Sequence, residues 1–203
     1  MKIICVGRNY AAHIEELQSM KPKEPILFLK PETSIIHKSQ PFFIPHFSSN
    51  IDYEVEVLIR INRIGKHIQP KFAYKYYQEI SLGIDFTART LQNKLKENGL
   101  PWEKAKAFDG SALIGEWISK SEYKDLNDLN FSLELNGTEV QKGNTSNMLW
   151  KINDLISYIS TYFTLKIGDI IFTGTPQGVG SIKENDVILG YLEGKQAFSI
   201  KIK

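Results

Sequence analysis

Apolar and polar residues alternate, or β-branched residues gather, in many short segments of the chain, so strands outnumber helices among the elements it predicts. Strands are expected at residues 2–6, 26–30, 52–61, 80–85, 131–135, 138–142, 169–173, 187–192 and 196–202. Asn136-Gly137 reads as a two-residue hairpin turn and Glu193-Gly194 as a second. A helical period runs over 87–98, where Leu91 and Leu95 lie one turn apart and Gly99 and Pro101 mark the stop. Another runs over 146–162, with Ile152, Leu155, Ile156 and Ile159 on one face and Thr145 or Ser146 as its cap. A shorter helix is expected at about 10–19. Strands in clusters with helices inserted, rather than strict alternation of the two, predict an α+β fold with a mainly β core.

Composition places this pattern in a folded domain. The 203 residues are 42% hydrophobic, with 11 Phe, 9 Tyr and 3 Trp, which is enough apolar surface for a core without disulfide or metal staples. The charges nearly cancel, 25 Lys+Arg against 23 Asp+Glu, so no nucleic-acid partner is expected. The lone cysteine, Cys5, sits in the apolar run Ile3-Ile4-Cys5-Val6 and reads as a small core residue. No apolar run approaches the roughly 18 residues that cross a bilayer, and no membrane partner is expected. The expected location is the cytoplasm.

Four segments carry candidate chemistry. Along Ile51-Asp52-Tyr53-Glu54-Val55-Glu56-Val57-Leu58-Ile59-Arg60-Ile61, a strand would put Tyr53, Val55, Val57, Ile59 and Ile61 on a core face. Glu54 and Glu56 then share the other face, with Cα atoms roughly 7 Å apart. Two readings stand: an ordinary solvated face, or a carboxylate pair bridged by a hard divalent ion. Asp85, in Gly83-Ile84-Asp85-Phe86-Thr87-Ala88-Arg89, either caps the following helix or adds a third metal oxygen. His13 and Glu16, three apart on a helix, form either a surface pair or an imidazole oriented by a carboxylate for proton transfer. The run Thr173-Gly174-Thr175-Pro176-Gln177-Gly178-Val179-Gly180 follows a strand and lacks the Gly-Lys-Ser/Thr of a nucleotide loop. It is either a tight turn or a cradle of backbone N–H groups for an anion.

The order of these blocks resembles the fumarylacetoacetate hydrolase family over essentially the whole chain. The matching blocks are GRNYAAH at 7–13, EPILFLKP at 24–31, IDYEVEV at 51–57, GIDFTARTLQ at 83–92, LPWEKAKAFD at 100–109, LNGTEVQKGNT at 135–145 and LKIGDIIFTGTPQGVG at 165–180. The GIDFTAR and GLPWEKAKAF runs are most similar to the acylpyruvase and oxaloacetate decarboxylase branch. After GVG many members open the next strand with Gly-Asp, where this chain has Asn185-Asp186, a swap Asn tolerates because it can adopt positive φ.

The resemblance implies a mixed β-roll with few helices and a homodimer. It implies one catalytic domain, residues 1–203, in which an N-terminal segment (1–50) bears a mobile lid helix and 51–203 form a metal-binding core. It places metal ligands on Glu54, Glu56 and Asp85, a general-base dyad on His13 and Glu16, and Lys106 among the catalytic residues. Substrate contacts fall on Gln92, Thr175, Arg8 and Lys30. The implied ion is Mg2+ or Mn2+, with Ca2+ able to take the same oxygens in a crystal. The expected substrate is a small 2-oxo acid, and the expected reaction is hydrolysis of a C–C bond in an acylpyruvate through a pyruvate enolate. Oxaloacetate decarboxylation, keto–enol tautomerisation or isomerisation at the same site is the alternative, and a non-catalytic metabolite-binding protein is the lesser one.

Overall fold

The segment that carries the two glutamates is buried on both faces, and the sheet around it explains why. The computed structural model describes residues 1–18, 20–37, 40–48 and 50–203. The chain runs β1 (Ile3–Gly7), α1 (Ala11–Glu16), β2 (Ile26–Lys30), β3 (Ile51–Tyr53), β4 (Val55–Ile61), α2 (Pro70–Ala73), β5 (Tyr77–Asp85) and β6 (Thr87–Ala88). It continues through α3 (Arg89–Glu97), α4 (Glu103–Lys106), β7 (Ala112–Ile114), β8 (Ile118–Ser119), β9 (Asn130–Leu135) and β10 (Thr138–Asn144). The last elements are α5 (Ile152–Tyr162), β11 (Ile170–Phe172), β12 (Gly180–Ser181), β13 (Val187–Leu192) and β14 (Lys195–Lys201).

Seven strands form the largest sheet, in the order β2-β1-β11-β4-β5-β7 with β8 also on β5. It is mixed, because β1 runs parallel to β11 while its other pairings are antiparallel. A four-stranded sheet, β10-β9-β13-β14, and a three-stranded one, β12-β3-β6, complete a mainly β architecture. In β4 the side chains of Val55, Val57, Ile59 and Ile61 enter the main core, together with Tyr53 from β3. Leu58 faces the other way, into a second apolar cluster with Ile3, Cys5, Ala112, Ile170 and Phe172. The face that bears Glu54 and Glu56 therefore continues into buried apolar side chains of neighbouring strands rather than into solvent.

The expected strand 52–61 is cut in two at Glu54. Residues before it pair with β6 and β12, whereas residues after it pair with β5 and β11. The glutamate at the crossing still uses its carbonyl, which accepts from Asp85 N at 2.9 Å. The helix expected over 146–162 is also shorter. Asn9 binds the backbone of Leu149 and Trp150 (2.8 and 2.9 Å), so only a short turn forms at 145–147 and α5 starts at Ile152. The cap moves accordingly: Asn144 caps the short turn through Ser146 N, and neither Thr145 nor Ser146 caps α5. The short helix expected near 10–19 spans Ala11–Glu16, and its predicted end at Ser19 lies outside the described residues. Both predicted hairpin turns have two successive positive φ values, 52° and 81° at Asn136-Gly137 and 48° and 73° at Glu193-Gly194. Asn185 adopts φ 73°, as its place in the family pattern requires. No helix among the described residues is long and apolar enough to cross a membrane.

Candidate active site

Glu54 at the β3–β4 crossing, Glu56 on β4 and Asp85 at the end of β5 meet because β4 and β5 are antiparallel neighbours, with Glu56 opposite Gly83 and Val55 opposite Ile84. One carboxylate oxygen from each lies within 4.8 Å of the others. All three are buried, at 5%, 2% and 0% exposure, which removes the solvated-face reading. The cap reading of Asp85 fails as well, since α3 begins after Ala88 with no side-chain cap.

Three cations hold this cluster together. Lys106 Nζ, from α4, donates to Glu54 Oε2 (2.7 Å), Asp85 Oδ2 (2.8 Å) and Thr87 Oγ1 (2.6 Å), which uses all three of its hydrogens. Arg89 opens α3 and bridges Asp52 Oδ2 (2.7 Å), Glu54 Oε1 and Gln92 Oε1 (2.8 Å). Lys30 Nζ lies 2.8 Å from Asp85 Oδ1. Its donors, however, go to Lys106 O, Ser111 O and Ser111 Oγ. Asp85 Oδ1 is therefore a buried acceptor with no hydrogen bond. That orphaned oxygen and an all-carboxylate donor set suit a hard divalent ion. Glu54, Glu56 and Asp85 would hold it.

The two glutamates differ electrostatically. Burial raises the Glu54 carboxyl pKa, but Lys106 and Arg89 outweigh burial and hold it well below the usual carboxylate range. Glu56 goes the other way: burial and the neighbouring Asp85 charge push it well up, opposed by a hydrogen bond from Gly174 N at 2.6 Å. A cation between Glu56 and Asp85 would reverse that repulsion.

The dyad forms as expected. His13 Nδ1 lies 3.1 Å from Glu16 Oε2, and Gly178 N donates to Glu16 Oε1 at 2.9 Å. Burial lowers the His13 pKa below 6.5, with Glu54 and Glu16 pulling in the opposite direction. The ring is then neutral at pH 7, with Nδ1–H on the carboxylate and Nε2 left as the acceptor. The glycine-rich turn thus does donate backbone N–H groups to carboxyl groups, but they are the protein's own. Gly174 receives Glu56 and Gly178 receives Glu16. Both have φ near 100°, and a Cβ at Gly178 would lie 2.3 Å from Val140 O.

One cavity joins these groups. It is lined by His13, Glu54, Glu56, Asp85, Gln92, Lys106, Thr175 and Arg8, all expected, and by Arg89, Lys96, Phe28 and Trp102 among others. Lys30 does not line it. It is 1% exposed behind Asp85, so it positions Asp85 and the Lys106 backbone rather than touching a substrate. Thr175 Oγ1 accepts from Gln141 Nε2 (2.9 Å), and Gln92 Oε1 accepts from Arg89. Their remaining donors, the Thr175 hydroxyl and the Gln92 amide, are left for a ligand. Sequence reasoning missed Asp52, Arg89 and Gln141. Asp52 was within reach, because the alternation that pairs Glu54 with Glu56 also includes Asp52.

Larger cavities lie away from the carboxylates, one of about 550 Å³ beside Ile36, Leu113 and Phe198, and that one gathers no comparable set of buried carboxylates among the described residues. The cavity at the carboxylates is only about 30 Å³, room for about one water.

A family model described as fumarylacetoacetate (FAA) hydrolase C-terminal matches residues 2–199. The chain is 39% identical over 201 residues to the Bos taurus protein named oxaloacetate tautomerase FAHD1, mitochondrial, covering 99% of this chain and 91% of that one. It is 40% identical over 194 residues to oxaloacetate tautomerase YcgM of Escherichia coli K12, covering 95% and 89%. Among solved structures, fumarylpyruvate hydrolase from Pseudomonas aeruginosa in complex with Mn2+ and pyruvate superposes with a TM-score of 0.94. That match has 33% identity and covers 100% of this chain and 89% of that one. With its enzyme relatives matched nearly end to end and the same fold beneath them, the chain belongs to the fumarylacetoacetate hydrolase family.

Proposed function

We propose that this protein is a divalent-metal-dependent enzyme of small 2-oxo acids whose main reaction is keto–enol interconversion of oxaloacetate. The observation that carries this reading is the meeting of a neutral, carboxylate-oriented histidine with three buried carboxylates in one cavity. The relatives named oxaloacetate tautomerase support the choice of substrate.

A bound Mg2+ or Mn2+ supplies Lewis acidity, polarising a 2-oxo group and acidifying the carbon beside it. The chain's own residues do the remainder. His13 Nε2 would take a proton from C3 as the C–H pair moves into a C2=C3 bond and the carbonyl π pair moves to oxygen, and Nε2–H would then return that proton to the 2-oxo oxygen. Glu16, fixed by Gly178 N, holds the imidazole in the tautomer that leaves Nε2 free. The Thr175 hydroxyl and the Gln92 amide donate to the substrate. Lys106 keeps a positive charge beside the developing oxyanion; Asp85 and Glu54 raise its pKa beyond what burial takes away. Because the cavity is so small, substrate enters as α1 moves outward, which is the role of the lid helix.

C–C hydrolysis of an acylpyruvate is the second reading. It is favoured by the similarity to a fumarylpyruvate hydrolase and by the same dyad, which is able to activate water. Oxaloacetate decarboxylation needs the metal but no activated water. The test is to load the protein with Mg2+ and measure three rates: decay of enol-oxaloacetate, release of CO2 from oxaloacetate and release of pyruvate from acetylpyruvate. Tautomerisation should have the highest kcat/KM. A higher value for acetylpyruvate would replace the first reading with the second.

A further inference from the structure

The cations around the cavity divide into two sets. Lys106 and Arg89 each pair with two carboxylates, and Lys30 lies against Asp85 from behind. The side chains of Arg8 and Lys96 line the same cavity, and among the described residues neither has a carboxylate or hydrogen-bond partner. Lys96 is in the last turn of α3, and its ammonium lies 5.4 Å from the centre of the Trp102 ring, itself on the cavity wall. Arg8 follows β1 with φ 60°, an uncommon conformation for a residue with a side chain.

Charge balance separates the sets further. Glu16, Asp52, Glu54, Glu56 and Asp85 are offset by Lys30, Lys106, Arg89 and one divalent ion. Arg8 and Lys96 are then in excess. Lys96 also lies close to other cations: burial first, then the charges of Arg89, Arg8 and Lys106, lower its pKa to about 8 against the pull of Glu54. A monoanionic ligand would leave one of these cations unmatched, and a dianion would match both.

We propose that Arg8 and Lys96 form a second anion subsite, which binds the distal carboxylate of a dicarboxylic 2-oxo acid and selects such acids over those with a neutral tail. This rests on the 2-oxo acid reading above and adds a specificity determinant to it. Both cation sets line one cavity, so with α1 displaced outward, as substrate entry requires, a four-carbon diacid would meet both sets. The aromatic wall of Phe28 and Trp102 excludes water and strengthens a charge-assisted contact there.

Calorimetry on Mg2+-loaded protein tests this with two probes, pyruvate and 3,3-difluoro-oxaloacetate, a dicarboxylate that cannot enolise. Wild type should bind the dicarboxylate at least tenfold more tightly. Lys96→Met keeps the apolar stem over Trp102 and removes the charge. It should weaken the dicarboxylate about ten- to hundredfold, as loss of a hydrogen bond to a charged group does, and pyruvate at least tenfold less than that. Lys96→Arg should restore most of the preference. Equal weakening of both probes, or an unchanged dicarboxylate affinity, would overturn the subsite. So would wild type that binds both probes equally, with the 2-oxo acid reading left intact. Wild type that binds neither would overturn that reading and the subsite with it.

Discussion

The carboxylate cluster and the histidine dyad are built in opposite ways. Glu54, Glu56 and Asp85 come from the interior of a seven-stranded sheet, where ladder hydrogen bonds fix the backbone and buried lysine and arginine side chains fix the carboxylates. His13 and Glu16 come from a six-residue helix whose functional orientation depends on one hydrogen bond from a glycine turn far along the chain. The cluster is therefore held from many directions, whereas the dyad's carboxylate is anchored to the rest of the fold through Gly178 N. On the proposed function, the first construction would hold a metal and the second would present a base to the substrate.

The largest effect should come from the cluster. Asp85→Ala leaves Lys30 without a carboxylate partner and Lys106 with Glu54 alone in a dry site. It should abolish Mg2+ binding and every activity, and lower the stability of the metal-free protein by about 3–5 kcal/mol. Calorimetry and urea unfolding check the two parts separately. Wild type stripped with a chelator should also lose activity yet stay folded, because its carboxylates keep their cations, and Mg2+ or Mn2+ should restore turnover.

The dyad should fail differently. His13→Gln should lower kcat for oxaloacetate tautomerisation about 10²- to 10⁴-fold with Mg2+ affinity unchanged. If the metal were lost as well, the two regions would not be independent. Gly178→Ala strains a φ of 94° and drives a methyl group into Val140 O. It should cost about 1–3 kcal/mol in stability and lower kcat by loosening Glu16, again with metal affinity intact.

The smallest effect is on pH dependence. Burial holds the His13 pKa below 6.5, so the free base is the form present at neutral pH. Activity should be level above pH 6.5 and fall as pH drops through the lowered value, where the imidazole takes up a proton. Glu16 raises that value, so Glu16→Gln should move the acid limb to lower pH while reducing the plateau. An acid limb that stays in place would show that the histidine is not the group titrating.

Much of the site was legible because its residues lie at short, regular spacings. The E-x-E alternation identified a shared face, and the i, i+3 spacing identified the dyad, each with an ordinary reading beside it. Whether that face was wet or dry was not legible, because its apolar neighbours Ile3, Cys5, Ala112, Ile170 and Phe172 come from strands scattered along the whole chain. Lys30 illustrates the same limit. Its block matched the family, but burial behind Asp85 makes it a support rather than a substrate contact. The four-residue helices α2 and α4 were too short for a period to be detected, and α5 lost its first turn to Asn9, about 140 positions away.

By itself, then, the sequence determined what local period and turn chemistry can encode: the strand-rich pattern, the two glycine hairpins, the paired glutamates and the family to which their order points. Only the tertiary structure decided which glutamate is held ionised and which is driven toward its neutral form. It also decided which cations are already paired and which are left for a ligand. Those properties depend on burial and on distances between groups far apart in the chain, and no local pattern specifies either.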